Sequence, residues 1–443
     1  MEFLLNPLLL TIYGVVVIIA LIEIFLVTKK GFVIALGIVG IIAIAFLMRT
    51  GIAASINIGL LTLLIPIGLI GIYRWASWIT RYALANTYRS VNHEFSSPVS
   101  VIIPVFNEDP NTFEKCLESV LWNQPDEVIV VIQRPENQSF DECVDICKRY
   151  DVTLIVTDEY GKRPALAEGI KAAKNEIVAL VDSDVIWSDN LLESNLKPFA
   201  DERVGAVMAA TRALNPHRWH QRLMDLLWQL RNRIDFPLMA RFGSASVVSG
   251  RTAFYRRQVL LSALPEFFEE KFLGVHLKSG DDKFFTRKLM KTDLKVAYQY
   301  AEVFTEVPEK FPKFLKQYLR WQRNSWRSDI KLLGSTTTFN RPPLAIYLAD
   351  RWIGKFAVIY GVFLAGYSIA SSLLTGSIIL LALFAVWWMT SRILKLSLGA
   401  SVLSKTTLMY VPWVVFGAFA SLWSLITIRD TGWHTRTGWK IQF

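Results

Sequence analysis

Two aspartates one residue apart, Asp182 and Asp184, close the apolar run Ile177-Val178-Ala179-Leu180-Val181. That run reads as a buried strand, and in an open α/β sheet ligands bind at the carboxyl ends of strands. Two carboxylates at this spacing can share a hard divalent cation, which takes oxygen ligands and bridges to substrate phosphates. The same pair also occurs as a helix cap or a solvated turn. Upstream, Gly161-Lys162-Arg163-Pro164 sets two cations before a helix, whose free N–H groups themselves favour anions. Beside Asp182 and Asp184, Lys162 and Arg163 suit a diphosphate; the plain alternative is a solvated basic turn. Gly280-Asp281-Asp282 precedes another helix. An aspartate there can simply cap it. As chemistry, two adjacent carboxylates near a diphosphate repel, one pKa rises, and Asp282 can take a proton from an acceptor hydroxyl. Finally, Lys310–Arg327 is amphipathic. Phe311, Phe314, Leu315, Tyr318, Leu319 and Trp326 form its apolar stripe, while Gln317, Arg320, Trp321 and Asn324 share a second face. A guanidinium beside an indole suits a sugar ring stacked on Trp321, with Arg320 meeting a leaving diphosphate. A membrane-surface helix with incidental Trp and Arg is the bland counterpart.

The elements that must position these residues alternate. Val99–Val105, Glu127–Ile132, Val152–Val156 and Glu176–Val181 read as strands, and Phe113–Trp122, Val144–Tyr150 and Gly161–Ala173 as helices. Such alternation implies a parallel sheet of doubly wound type. There is no Gly-rich phosphate loop, so a nucleotide is held by metal and cationic side chains instead. Pro216–Leu238, with Trp219, Leu223, Leu226, Leu227 and Leu230, reads as a helix on the membrane face that carries no chemistry.

Around this middle the chain is apolar. Of 443 residues 52% are hydrophobic, with mean hydropathy +0.34. Residues 7–28 (interrupted by Glu23), 31–48, 52–73, 354–374, 376–391 and 405–428 are runs of a length to enter or cross a bilayer, which takes about 20 helical residues. The first has no charged leader and no cleavage pattern, so it reads as a retained helix. The formal charge is +10 and the pI about 9.4. The cations cluster beside apolar runs, in Arg74–Arg89 and Lys310–Lys331, which points to the inner membrane leaflet and not to nucleic acid. Cys116, Cys143 and Cys147 lack metal-ligand partners and read as reduced cytosolic thiols. Basic loops on both sides of 405–428, which carries Pro412 and Gly417, suggest a re-entrant or interfacial segment; an external tail is the alternative.

Taken in order, PVFNED, GKR, DSD, SGR, GDD and Q-x-x-R-W resemble the processive membrane glycosyltransferases of family 2, the cellulose, chitin and hyaluronan synthases. VDSDVIW, GKRPA, SGRTAFYRR and DTGWHTRTG are most similar to the type-3 capsular polysaccharide synthases within them. The resemblance covers roughly residues 95–330, with weaker similarity in the flanking spans. It implies a GT-A-type α/β nucleotide-sugar domain inserted between groups of transmembrane helices. Its boundaries are N-terminal transmembrane helices at 1–75, a cytoplasmic glycosyltransferase domain at 95–305, interfacial helices at 306–352, transmembrane and re-entrant helices at 353–428 and a cytoplasmic tail at 429–443. It implies that Asp182 and Asp184 bind UDP and its Mg2+ or Mn2+, and that Lys162 and Arg163 hold the diphosphate. Asp282, beside Asp281, is the base; Gln317, Arg320 and Trp321 frame acceptor and donor, and Gly250 and Arg251 of SGR line the substrate site. Trp433, Thr435 and Arg436 form a loop that closes over the nucleotide. Two positions depart from the pattern: Gln133-Arg134-Pro135 stands where the family has Asp-Asp-Gly for uracil, and His434 replaces a Gly.

The expected activity is therefore an inverting, processive UDP-sugar hexosyltransferase in the plasma membrane. Its partners are UDP-sugars, a growing polysaccharide and the lipid bilayer. UDP-glucose with UDP-glucuronic acid is the first expectation, and UDP-glucuronic acid with UDP-N-acetylglucosamine the alternative. Two rivals are a transferase adding one sugar to a lipid carrier and a nucleotide-sensing transporter or receptor.

Overall fold

The structure, a computed structural model, describes residues 73–335, 338, 340–371, 396 and 405–432. In chain order its elements are β1 (Val99–Val105), α1 (Pro110–Trp122), β2 (Glu127–Gln133), α2 (Phe140–Arg149), β3 (Thr153–Thr157), α3 (Lys162–Ala172), β4 (Ile177–Val181), β5 (Val185–Trp187), α4 (Leu191–Leu196), β6 (Val204–Ala213), α5 (Trp219–Leu230), α6 (Phe236–Arg241), β7 (Thr252–Arg256), α7 (Arg257–Phe268), β8 (Lys271–Phe272), β9 (Val275–His276), α8 (Asp281–Met290), β10 (Lys295–Thr305), α9 (Phe311–Leu333), α10 (Pro342–Ser371) and α11 (Lys405–Ile426). A π-helical turn, Arg231–Asp235, joins α5 to α6.

The sheet runs β3-β2-β1-β4-β7-β6-β10-β5. Its first half is the expected parallel one: β1 pairs in parallel with β2 and β4, and β2 with β3. The second half corrects the expectation of a wholly parallel sheet. Strand β7 runs antiparallel between β4 and β6, and β5 antiparallel beside β10. The Asp182–Asp184 turn leads directly into β5, with no crossover helix to return the chain in parallel.

All of β1 and β4 is buried, which is why both read as uninterrupted apolar runs without alternation. Helix α1 starts where Asp109 caps it, accepting from the Thr112 N–H at 2.9 Å, with Pro110 in the first turn. Helix α3 starts at Gly161, whose φ of +116° only glycine adopts freely. It lies so close on the sheet that a Cβ on Gly169 would stand 2.4 Å from Ile102 Cγ2 and 3.3 Å from Val131 Cγ2.

The chain divides into two compact units, Leu84–Arg351 with Phe419–Phe443, and Met1–Ala83 with Trp352–Ala418. The first holds the sheet. In the second, Trp78 stacks on Tyr82 at 5.3 Å, and a Cβ on Gly354 would stand 2.8 Å from the Arg74 guanidinium. The expected spans at 7–28, 31–48 and nearly all of 52–73, and the run 376–391, lie outside the described residues. Runs 354–374 and 405–428 fall largely in α10 and α11, and among the described residues no helix is long and apolar enough to cross a membrane.

Gly169→Ala should destabilise the domain by about 1–3 kcal/mol, because a methyl forced against a buried β-branched side chain shifts α3 off the sheet. The expected outcome is a lower unfolding midpoint in a denaturant titration. An unchanged midpoint would show that the contact relaxes freely.

Candidate active site

Three segments distant in sequence meet at one ammonium group. Lys162, the first residue of α3, places Nζ 2.5 Å from Asp182 Oδ1 at the end of β4 and 2.9 Å from Asp281 Oδ2 at the start of α8. Burial disfavours the Lys162 charge, yet Asp182 and then Asp281 outweigh it and hold its pKa above the ordinary lysine value. Burial likewise tends to raise Asp281, but Lys162 overrides it and leaves that carboxyl below the usual range. Asp282 goes the other way. Burial raises it and Asp281 adds to the effect, with Lys283 and Lys162 opposing, so it sits above the ordinary carboxylate value. Two neighbouring carboxylates are thus pushed apart in pKa, as an acid–base role requires.

Close packing fixes the pair. A Cβ on Gly250 would stand 3.2 Å from the Asp282 Cβ and 3.6 Å from Asp281 Oδ2, so a side chain there would press on both acids. Gly280, at φ +87°, caps α8 and lies against the buried Asn324 of α9. Behind the carboxylates is a void of about 10 Å³, lined in part by Leu166, Leu180 and Phe285; that is room for one water. Lys283, also buried, is pushed down to about 8 by desolvation against the pull of Asp282.

At the other carboxylates, the Asp182 N–H donates to the Arg251 carbonyl at 3.0 Å, and the Ser183 hydroxyl donates to Glu108 at 2.6 Å. The buried Cys116 thiol lies 3.5 Å from the Asp182 carbonyl; burial holds it protonated, consistent with an unreactive thiol. Among the described residues no group of three His, Cys, Asp or Glu side chains could hold a metal ion. Asp182 and Asp184 nonetheless fit Mg2+ or Mn2+, since such ions keep several waters and bind through one or two carboxylates plus substrate phosphates.

The Q-x-x-R-W face of α9 reaches the same cleft. The Trp321 ring is 6.4 Å from that of Trp228 and 5.2 Å from the Arg251 guanidinium, which lies 4.3 Å over Trp228. Arg251 is pushed down to about 10, first by burial, with Asp182 pulling it up and Arg231 down; it is a cation at neutral pH. Gln317 and Arg320 are half-buried on α9. The Gln317 side-chain oxygen is buried and makes no hydrogen bond among the described residues.

Two expectations need correction. Arg163 does not face the diphosphate site. It is 5% exposed, donates to Glu270 at 2.6 Å and to the Phe267 carbonyl at 2.5 Å, and stacks on Phe267. Consecutive helical residues point about 100° apart, so Lys162 and Arg163 cannot both serve one cleft. Glu270 also accepts from Arg287 and Lys331, making this a buried knot of one carboxylate and three cations. Nor do the α5 leucines all face outward: Leu223 and Leu226 are buried in the unit, and the Arg251 guanidinium lies over Trp228. Periodicity gives no sign of Trp228, since its position on α5 reads as one more apolar residue.

Other residues that pattern reading misses stand behind the cleft and brace it. Gln133 accepts the Gly161 N–H at 2.7 Å and donates to the Pro135 carbonyl at 3.0 Å, tying β2 to the turn before Lys162. Arg327 is buried; it donates to Asn324 Oδ1 at 2.9 Å, to the Ile428 carbonyl at 2.7 and 2.9 Å, and to the Asp430 carbonyl. Arg323 pairs with Asp430 at 3.0 Å. Residues 428–430 are thereby clasped to α9, beside the helix that carries Asp281 and Asp282. Trp433, Thr435 and Arg436 lie outside the described residues.

A mixed α/β sheet with acids and a lysine at its strand ends and helix starts defines a glycosyltransferase of GT-A type. Residues 97–324, just over half the chain, match the family described as glycosyltransferase like family 2, and the chain belongs to that family. Among curated relatives, a type 2 glycosyltransferase of Gibberella zeae is 27% identical over 77% of this chain and 68% of its own length. N-acetylglucosaminyltransferases of Bradyrhizobium diazoefficiens and Azorhizobium caulinodans are 29% and 30% identical over 57% and 52% of this chain. The chain spans 58% and 60% of those two relatives' lengths. A mannosyltransferase from Pyrobaculum calidifontis, solved with GDP-Man and Mn2+, has the same fold. Its TM-score is 0.59 at 16% identity, over 83% of this chain and 98% of that one.

Two outcomes test these assignments. Arg163→Ala should cost about 3 kcal/mol of stability by denaturant titration, because it breaks a buried ion-pair knot, whereas Lys162→Ala should chiefly weaken nucleotide binding. The reverse pattern would return Arg163 to the cleft. Asp281→Asn removes a charge that raises Asp282, so the acid limb of the pH–rate profile should move to lower pH. A limb that stays in place would mean that Asp282 is not the group it reports.

Proposed function

We propose that the protein is an inverting, processive polysaccharide synthase of the plasma membrane, with its catalytic domain in the cytoplasm. It would polymerise UDP-activated sugars, UDP-glucose and UDP-glucuronic acid, and pass the polymer across the bilayer. The observation that carries the reading is the Lys162 bridge between Asp182 and Asp281, with Asp282 beside it and the Trp321 indole on the same cleft. The membrane location rests on the apolar runs of the sequence.

In this reading Asp282 accepts the proton of the acceptor hydroxyl, whose oxygen forms a bond to the anomeric carbon as the carbon–phosphate oxygen bond breaks. UDP departs with the bonding electron pair, and its charge meets Lys162 and Arg320. Asp282 suits the task, since a raised pKa makes it a stronger base than an ordinary carboxylate. Preorganised charge of this kind commonly supplies more of an enzyme's rate enhancement than any other single effect. Gln317 offers its buried oxygen to an acceptor hydroxyl. A divalent cation on Asp182 and Asp184, when bound, would neutralise diphosphate charge. Trp433, Thr435 and Arg436 would close over the nucleotide.

The names of the rhizobial relatives favour a second reading, in which N-acetylglucosamine is a donor sugar. Radiolabelled UDP-sugars supplied singly and in pairs to purified protein separate the two. Glucose with glucuronic acid should give high-molecular-weight product on a gel. Product only with N-acetylglucosamine would select the second reading, and short products alone would remove processivity. Asp282→Asn should abolish product, at least a ~10²-fold loss, while UDP binding by calorimetry persists; equal loss of both would remove the general-base role.

A further inference from the structure

Transfer of the sugar, with Asp282 as base and Lys162 and Arg320 on the diphosphate, leaves Arg251 without a task. Its guanidinium lies over Trp228 at 4.3 Å and over Trp321 at 5.2 Å. Among the described residues its side chain makes one hydrogen bond, a long 3.4 Å contact to the Ser249 hydroxyl, and pairs with no carboxylate at ion-pair distance. The acids that act on it from further off are Asp182, Asp184 and Asp282, opposed by Arg231. Two of those three acids are the pair suited to a divalent cation. Once their charge is matched by a cation, Arg251 is left beside the Trp321 indole with only Asp282, opposed by Arg231, acting on its charge from a distance. A desolvated cation in that position calls for an anion.

The geometry selects which anion. A guanidinium presents a fork of N–H groups that matches a carboxylate with two parallel hydrogen bonds, and among the described residues that of Arg251 makes only the one long contact to Ser249. A diphosphate is the other candidate, but Lys162 already stands at the diphosphate end of the cleft, whereas Arg251 lies on the indole that would stack a sugar. We propose that Arg251 recognises the carboxylate of a uronic acid residue stacked on Trp321, so that the site selects an acceptor chain ending in an acidic sugar. This rests on the polysaccharide-synthase reading and adds to it a residue that sets sugar class.

The test uses the full-length protein in detergent and needs no turnover. Wild type, Arg251→Gln and Arg251→Lys are titrated calorimetrically with three probes: a glucuronate-terminated tetrasaccharide, its carboxyl methyl ester, and UDP. Wild type should bind the acid about tenfold or more tightly than the ester, the loss expected for a charge-assisted pair. Arg251→Gln should abolish that preference by weakening the acid alone, and Arg251→Lys should keep part of it, because lysine retains the charge without the fork. Equal binding of acid and ester by wild type would overturn the proposal. So would an Arg251→Gln variant that loses UDP affinity in step with the acid, which would make Arg251 a diphosphate ligand. Polymer formation is read separately: high-molecular-weight product from UDP-glucose with UDP-glucuronic acid, together with equal binding of acid and ester, sinks this inference and leaves the parent reading standing.

Discussion

One lysine between two aspartates organises this site. Lys162 draws the end of β4 and the start of α8 to the same point, and several small-residue contacts exist where the chain must come close enough for that to happen. Gly169 lets α3 lie on β1, Gly161 turns the chain into α3, and Gly250 leaves room for Asp282. Without the ammonium, Asp182 and Asp281 would be like charges brought together in a partly desolvated pocket, a costly arrangement. With it, Asp281 stays ionised and Asp282 takes the burden of burial, so that two adjacent residues of one type acquire opposite properties.

The charges around the bridge are mixed. Asp182, Asp184, Asp281 and Asp282 are met by Lys162 and Lys283, with Arg251 and Arg231 acting from further off. Paired carboxylates at a strand end suit a divalent cation that bridges to substrate phosphates. The second cationic assembly, Arg163, Arg287 and Lys331 around Glu270, lies behind the first and does structural work. The fold thus separates a charged cluster that binds from one that holds.

Much of this was legible in the sequence because the relevant residues sit at element ends, where period and punctuation agree. Strands β1 to β4 fall within a residue or so of their apolar runs, and the DSD, GKR and GDD groups lie at a strand end and two helix starts as expected. What escaped had physical reasons. Adjacent residues on a helix diverge, so GKR could not reveal that Arg163 turns inward to Glu270. Short β7 is too brief to carry a direction, and its antiparallel pairing depends on the path of α5 and α6 before it. Trp228 looked like any apolar helix position because its role is set by Arg251, which arrives from a loop and not from its own helix.

The clasp of Arg323 and Arg327 on residues 427–430 has a consequence for biosynthesis. Arg327 is buried, and its carbonyl partners lie 101 and 103 residues downstream. While the ribosome is still translating that interval, the guanidinium must either stay hydrated or sit desolvated with only Asn324 to satisfy it. The helix beside Asp281 and Asp282 therefore reaches its final packing late, after residue 430 has emerged, since contacts of such sequence separation form only once their loop has closed. A nascent chain in this state carries the acids without their finished support, so maturation of the catalytic centre is tied to completion of a segment far from it in translation time.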